Sequence, residues 1–211
     1  MANEKKSTMV KDALILFAIT IIAALALGFV NELTAPVIAE NAAKAKAEAY
    51  QEVFPGAAKI VDAEENVLLK EAVQDAAAIL AEGGFVATIN EACIVQNEAE
   101  EIIGYVVSVT TQGYKAMTLT FGYTVDGICT GLGYLAFDET PGIGDVVKSS
   151  DFTAQFVNKQ ADQFVKVPAA TAENEINAIS GASKSTNGVI NGVNAGIYFL
   201  KELQSRLGGD E

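Results

Sequence analysis

The sequence predicts an α+β domain carried behind a single membrane-spanning helix. Three observations lead there: an uncharged apolar run near the N-terminus, a change from helical to alternating hydrophobic period in mid-chain, and an Asp-Gly pair between two strand-like runs. Composition agrees. The chain has 211 residues, half of them apolar, enough for one domain of ordinary size with a real core plus an appendage.

From Ala13 to Val30 runs ALILFAITIIAALALGFV, without a charge and long enough to cross a bilayer as a helix. Lys5, Lys6 and Lys11 precede it. The positive-inside tendency then makes residues 1–12 a cytoplasmic tail, 13–30 the transmembrane helix and 31–211 an extracytoplasmic domain. A cleaved signal peptide is the rival, with Ala24-Leu25-Ala26 as its cleavage site. The apolar run is longer than a signal core of about 7–15 residues and continues past that site, which favours a retained anchor. Either way the domain is exported.

Beyond the span, Pro36 is placed to open a helix from Val37 to Val53, in a stretch rich in Ala, Glu and Lys and ended by Pro55-Gly56. A second helix is expected over Leu68–Ala81, closed by Gly83-Gly84. From Ile102 the period changes: IIGYVVSVTT, MTLTFGYTV and ICTGLGYLAF read as antiparallel strands, the last two joined by a hairpin at Asp126-Gly127. The final helix is expected to start between Ser185 and Gly188 and to reach Arg206, burying Val189, Val193, Ile197 and Leu200. Gly188, Gly192 and Gly196 recur every four residues and permit close packing on the sheet or, less simply, on a partner subunit.

Charge and residue usage exclude several function classes. Lys and Arg number 14 against 27 Asp and Glu, and the net charge of -13 opposes nucleic acid and anionic lipid. There is no His, so the usual neutral-pH base and the commonest metal ligand are missing. Neither a metal site nor a catalytic residue of its own is expected. Cys93 and Cys129 form no CxxC motif; buried free thiols and one disulfide both remain open, the former preferred. Gly131 to Ala136 matches GxGxxA in form but falls inside a predicted strand and opens no helix. The acidic runs at Glu64-Glu65 and Glu98–Glu101 read as solvated faces.

The densest cluster of chemistry is SGASKST, residues 180–186, with four hydroxyls, a glycine and a cation before the last helix. Unpaired amides and the positive end of a helix dipole favour a phosphate or carboxylate there. Gly181 lets backbone approach closely, and Lys184 adds a point charge. The plainer alternative is that Ser183, Ser185 or Thr186 simply caps the helix. It is not a Walker loop, since the second glycine and the Gly-Lys-Ser/Thr order are absent.

Ser180-Gly181-Ala182-Ser183 resembles the S/T-G-A-S/T flavinylation motif of the FMN-binding domains in the G subunit of Rnf complexes and the C subunit of the sodium-pumping NADH:quinone oxidoreductase. Asp138 to Gly144, DETPGIG, resembles the ETPGLG loop that precedes that motif, LTAPVIAEN resembles the start of the family's external helix, and GYVVSVTTQGY is similar as well. The resemblance covers nearly the whole chain, and its length and single anchor fit the Rnf G-subunit family better. It implies FMN taken from FAD by a flavin transferase and joined through phosphate to Ser183, with Ser180, Gly181, Ala182, Lys184, Ser185 and Thr186 around the attachment. It also implies that Thr140, Pro141, Gly142, Ile143 and Gly144 lie near the ring system, with Gly142 and Gly144 giving close backbone approach and Ile143 apolar contact. Tyr114 either stacks on the ring or is an ordinary sheet-end aromatic; Glu139 either hydrogen-bonds the flavin or ends the strand. The sequence departs from the family pattern twice: Ser183 stands where Thr is usual, and Asn177 where Asp is usual, so Ser185 and Thr186 stay open as acceptors.

The function implied is a flavin-carrying subunit relaying electrons in a complex that couples ferredoxin and NAD+ to Na+ or H+ movement. The span holds no charged residue to serve an ion pathway, so that pathway belongs to other membrane and peripheral subunits. The alternatives are a stand-alone exported FMN carrier and a non-redox exported binding or assembly module.

Overall fold

A computed structural model describes residues 2–139, 142 and 144–208, and the chain divides into two units, Met1–Ala45 and Lys46–Glu211. Helix α1 spans Ala2–Val53 and includes a stretch long and apolar enough to cross a membrane by length and composition, with a mean hydropathy of 2.8 and none of that window buried. Thr20 and Thr34 of this helix donate back to the carbonyls of Leu16 at 3.1 Å and Val30 at 2.9 Å, so neither presents an unpaired hydroxyl to an apolar surround. Pro36 lies inside α1, and the separate helix expected to start at Val37 is not observed. One missing donor disturbs a single turn, and the alanine-rich flanks are strong helix formers on the far side.

In the second unit, six antiparallel strands form a meander in the order β1 (Lys59–Val61), β2 (Thr88–Gln96), β3 (Ile102–Gln112), β4 (Ala116–Thr124), β5 (Ile128–Phe137) and β6 (Lys159–Gln160). The three expected strands are β3, β4 and β5. Their hairpin turns at Asp126-Gly127, where Gly127 has φ +85°, the left-handed conformation that favours glycine in such a turn. Strand β2 has no clean strand signal in the sequence because Asn90 and Glu91 interrupt its apolar pattern, at a register shift between Ile89 and Glu91. A short parallel pair, β7 (Val165–Val167) and β8 (Glu175–Asn177), follows a 3-10 turn at Asp145–Lys148 and α3 (Ser150–Thr153).

One face of the sheet carries α2 (Val67–Glu82) and α4 (Ser183–Leu207). Val107, Val109, Leu119 and Phe121 from the strands meet Val189, Val193, Ile197 and Leu200 from α4, the helical face expected from their spacing. The glycine stripe of α4 packs on this sheet. A β-carbon at Gly188 would meet the Gln112 carbonyl at 2.9 Å, one at Gly192 Leu119, and one at Gly196 the Phe121 ring. Close helix–strand approach is what those glycines permit.

The opposite face is covered by the end of α1 that belongs to this unit. Tyr50, Val53 and Phe54 pack on Cys93, Val95 and Val106. Glycines in three neighbouring strands make room: Gly104 and Gly122 for Phe54, and Gly131 for the Val53 backbone. Glu91 accepts hydrogen bonds from Lys46 and, at 3.0 Å, from Tyr50. Both cysteines are buried and free, Cys93 on this face and Cys129 in the main core. Burial pushes each thiol up to about 12, so both are protonated and unreactive near neutral pH.

Candidate functional site

The two motifs that stand some forty residues apart in sequence meet across one cleft. It holds about 320 Å³, at the small end of ligand sites, and is lined by Gly142 and Val146 from the segment after β5 and by Ser180 and Gly181 from the loop before α4. Gly142 has φ +75° and Gly181 φ +81°, and at both the space a β-carbon would occupy is open among the described residues. Bare backbone therefore faces the cleft from both sides. The Gly142 amide is held by donation to Asp145 Oδ1 at 2.7 Å. Thr140, Pro141 and Ile143 lie outside the described residues.

Helix α4 begins at Ser183, two residues earlier than the sequence suggested, because the left-handed Gly181 turns the chain and Ala182 takes the capping position. Ala182 has no side-chain oxygen, so none of the neighbouring hydroxyls caps this helix. The first helical bond runs from the Thr186 amide to the Ala182 carbonyl at 2.9 Å, and the amides of Ser183, Lys184 and Ser185 find no acceptor among the described residues. Ser183 and Lys184 are exposed; Ser185 and Thr186 are fully buried, and neither hydroxyl has a partner among the described residues. A helix start with free amides and unspent hydroxyls is a set of donors for an anion.

Tyr114 and Glu139 join the site through the β3–β4 turn. The Lys184 ammonium sits over the Tyr114 ring, 5.2 Å from its centroid, while the ring stays half exposed. Glu139 is 5% exposed and accepts from the Tyr114 amide at 2.9 Å and the Lys115 amide at 3.4 Å through Oε1. Its Oε2 has no partner among the described residues. Glu139 thus fastens the segment after β5 to the turn that carries Tyr114. Gly144 is close to this carboxylate: the space beside its α-carbon is filled by Glu139, not left open.

Of the expected residues, the structure brings together Ser180, Gly181, Gly142, Tyr114, Lys184 and Glu139, with Ser183 exposed on the first turn of α4. Asn177 is not part of this group. Its Oδ1 accepts from the Ala170 amide at 2.6 Å, a bond that an aspartate oxygen would make equally. Sequence reasoning missed Val146, which carries no local signal, and Gly113 and Asp145. The Asp three residues after a turn glycine was the available clue to the latter. It also missed Asn194, buried on α4, whose amide exchanges two 2.8 Å hydrogen bonds with the Phe164 backbone and ties the segment after β6 to the helix. A polar residue amid the glycine stripe was the signal there.

An α+β domain with one apolar helix and an uncapped, hydroxyl-rich helix start beside an open backbone cradle is the frame of an anchored cofactor-binding protein. Residues 1–53 match the family model of the RnfG N-terminal region, and residues 113–198, which contain every site residue named above, match the FMN-binding domain. The chain is 35% identical over 199 residues to the G subunit of the Na(+)-translocating ferredoxin:NAD(+) oxidoreductase complex of Acetobacterium woodii, covering 92% of each. It is 31% identical over 97 residues to the G subunit of the proton-translocating ferredoxin:NAD(+) oxidoreductase complex of Clostridium ljungdahlii, covering 46% of this chain and 52% of the relative. Against the C subunit of the Na(+)-translocating NADH-quinone reductase of Pasteurella multocida the identity is 34% over 119 residues, covering 50% and 44%. The chain belongs to the RnfG family, the G subunits of ferredoxin:NAD(+) oxidoreductase complexes.

Proposed function

We propose that this protein is a membrane-anchored flavoprotein subunit of an Rnf-type ferredoxin:NAD+ oxidoreductase complex, carrying FMN in covalent linkage through its phosphate to Ser183. Residues 1–12 form a cytoplasmic tail, 13–30 the single span, and 31–211 the extracytoplasmic domain. The observation that carries the reading is the meeting of Gly142 and Gly181 across one cleft at the start of α4. The free amides of Ser183, Lys184 and Ser185, with the Lys184 charge, suit a phosphate, and the two open glycines suit a flat group lying against backbone. Ala182 at the capping position removes the main support for the non-redox alternative, a loop that merely caps a helix.

FMN, when bound, supplies the one- and two-electron chemistry that His-free and Trp-free residues do not. The chain's own residues bind and orient. Ser183 is exposed on the first helical turn, where a flavin transferase can reach it. In maturation its hydroxyl oxygen bonds the FMN phosphorus of FAD, AMP leaves, and the hydroxyl proton is lost. Ser185 and Thr186 are fully buried, and their hydroxyls are so poorly placed to attack FAD. Covalent attachment abolishes dissociation in a compartment where lost cofactor is not readily replaced. The other subunits hold the ferredoxin and NAD+ sites and the Na+ or H+ pathway, and this subunit turns over no substrate of its own.

Intact-mass analysis and in-gel flavin fluorescence on denatured protein, produced with a flavin transferase and exported, test the assignment. One added FMN is expected on the wild type and none on Ser183→Ala, which should fold normally because Ser183 is exposed. A Ser183→Ala chain that kept full covalent flavin would sink the assignment to this residue.

A further inference from the structure

We propose that Glu139 is a positioning residue of the flavin site, one carboxylate oxygen holding the β3–β4 turn and the other accepting a hydrogen bond from an N–H or O–H group of the flavin. The inference rests on the flavoprotein reading above. Oε1 takes the Tyr114 and Lys115 amides, so this side chain fastens the turn carrying Tyr114 to the segment after β5. Oε2 is buried and has no partner among the described residues. Lys115 pairs with Asp138 at 3.0 Å, and the Lys184 ammonium lies over the Tyr114 ring.

The surroundings are shaped for this carboxylate. It lies between Gly113 and Gly144, and a β-carbon at either would fall on one of its oxygens. Gly144 has φ −83°, which any residue adopts, so the lack of a side chain there is a matter of space. A strand-ending residue needs no such slot, and a turn clamp needs only one oxygen. Leaving a buried carboxylate oxygen empty is costly. An acceptor kept for a ligand that arrives later accounts for both the slot and the unused oxygen. Flavin offers two kinds of neutral donor, the ring imide N–H and the ribityl hydroxyls. A carboxylate on the ring side disfavours added negative charge upon reduction and lowers the midpoint potential.

The test uses full-length protein in detergent, matured with a transferase, comparing wild type with Glu139→Gln, each with and without Ser183→Ala. Gln keeps an oxygen for the turn and removes the charge and the second acceptor. The flavin-free pair should melt at similar temperatures. In the loaded pair, a raised midpoint potential with a shifted absorption band identifies the ring donor. An unmoved potential with a smaller gain in melting temperature on loading identifies a ribityl hydroxyl. If Glu139→Gln lowers both melting temperatures equally and moves neither spectrum nor potential, Glu139 only clamps the turn and the proposal is overturned. A wild type that takes up no flavin overturns the flavoprotein reading, and this proposal with it.

Discussion

Helices α2 and α4 pack side by side on the same face of one sheet, and they begin in opposite ways. At α2 the sequence supplies one suitable residue, and the fold uses it: the Asn66 side chain accepts from the Leu69 amide at 3.0 Å while its carbonyl takes Lys70. At α4 four hydroxyls crowd the start, and the cap is Ala182. Two of those hydroxyls, on Ser185 and Thr186, are buried with nothing to bond among the described residues. A start built for stability spends its polar atoms on its own backbone. The start of α4 withholds them, which is the expected condition of a helix end that must receive something else.

The largest break in this contrast should come from Gly188→Ala. The new methyl would meet the Gln112 carbonyl at 2.9 Å and the Gly113 amide nitrogen at 3.0 Å, both backbone atoms that cannot swing aside. Overpacking of this kind costs about 1–3 kcal/mol, against about 1 kcal/mol gained in helix propensity. Thermal melting should show a net loss. Because the displaced element is the start of α4 against the β3–β4 turn, flavin loading by in-gel fluorescence should fall as well. Asn66→Ala, at the other helix, should cost about 1 kcal/mol of stability and leave flavin loading untouched. Equal loading defects in the two variants would mean that global stability, not the geometry of α4, controls attachment.

How far the sequence reveals this site follows from the range of its interactions. The strands β3, β4 and β5, α2 with its closing glycines, and the apolar face of α4 are local patterns, and the structure has each of them. SGAS and ETPGIG are local motifs too, legible through their family resemblance. What escaped was non-local. No pattern near Pro36 says whether the flanking helices fuse, and nothing near Glu139 says that its partners are amides 24 and 25 residues upstream. Gly144 illustrates the difference. Its smallness invited a ligand-facing role, but the neighbour that needs the space is Glu139.

The smallest expected effect is also the one with the most informative sign. Thr186→Val exchanges a buried, unpaired hydroxyl for a methyl of nearly the same shape, at a position where the two residues have similar helix propensity. In an ordinary core a buried hydroxyl is hydrogen-bonded and its loss destabilises. Here no bond among the described residues is lost, and the desolvation cost of the hydroxyl disappears. Flavin-free protein, prepared in the Ser183→Ala background, should therefore be unchanged or more stable by up to about 1 kcal/mol. With flavin attached the sign should reverse, since the hydroxyl then has a partner to lose. A Thr186→Val chain destabilised without flavin would show that the hydroxyl already serves the fold, and the distinction between the two helix starts would narrow to Ser185 alone.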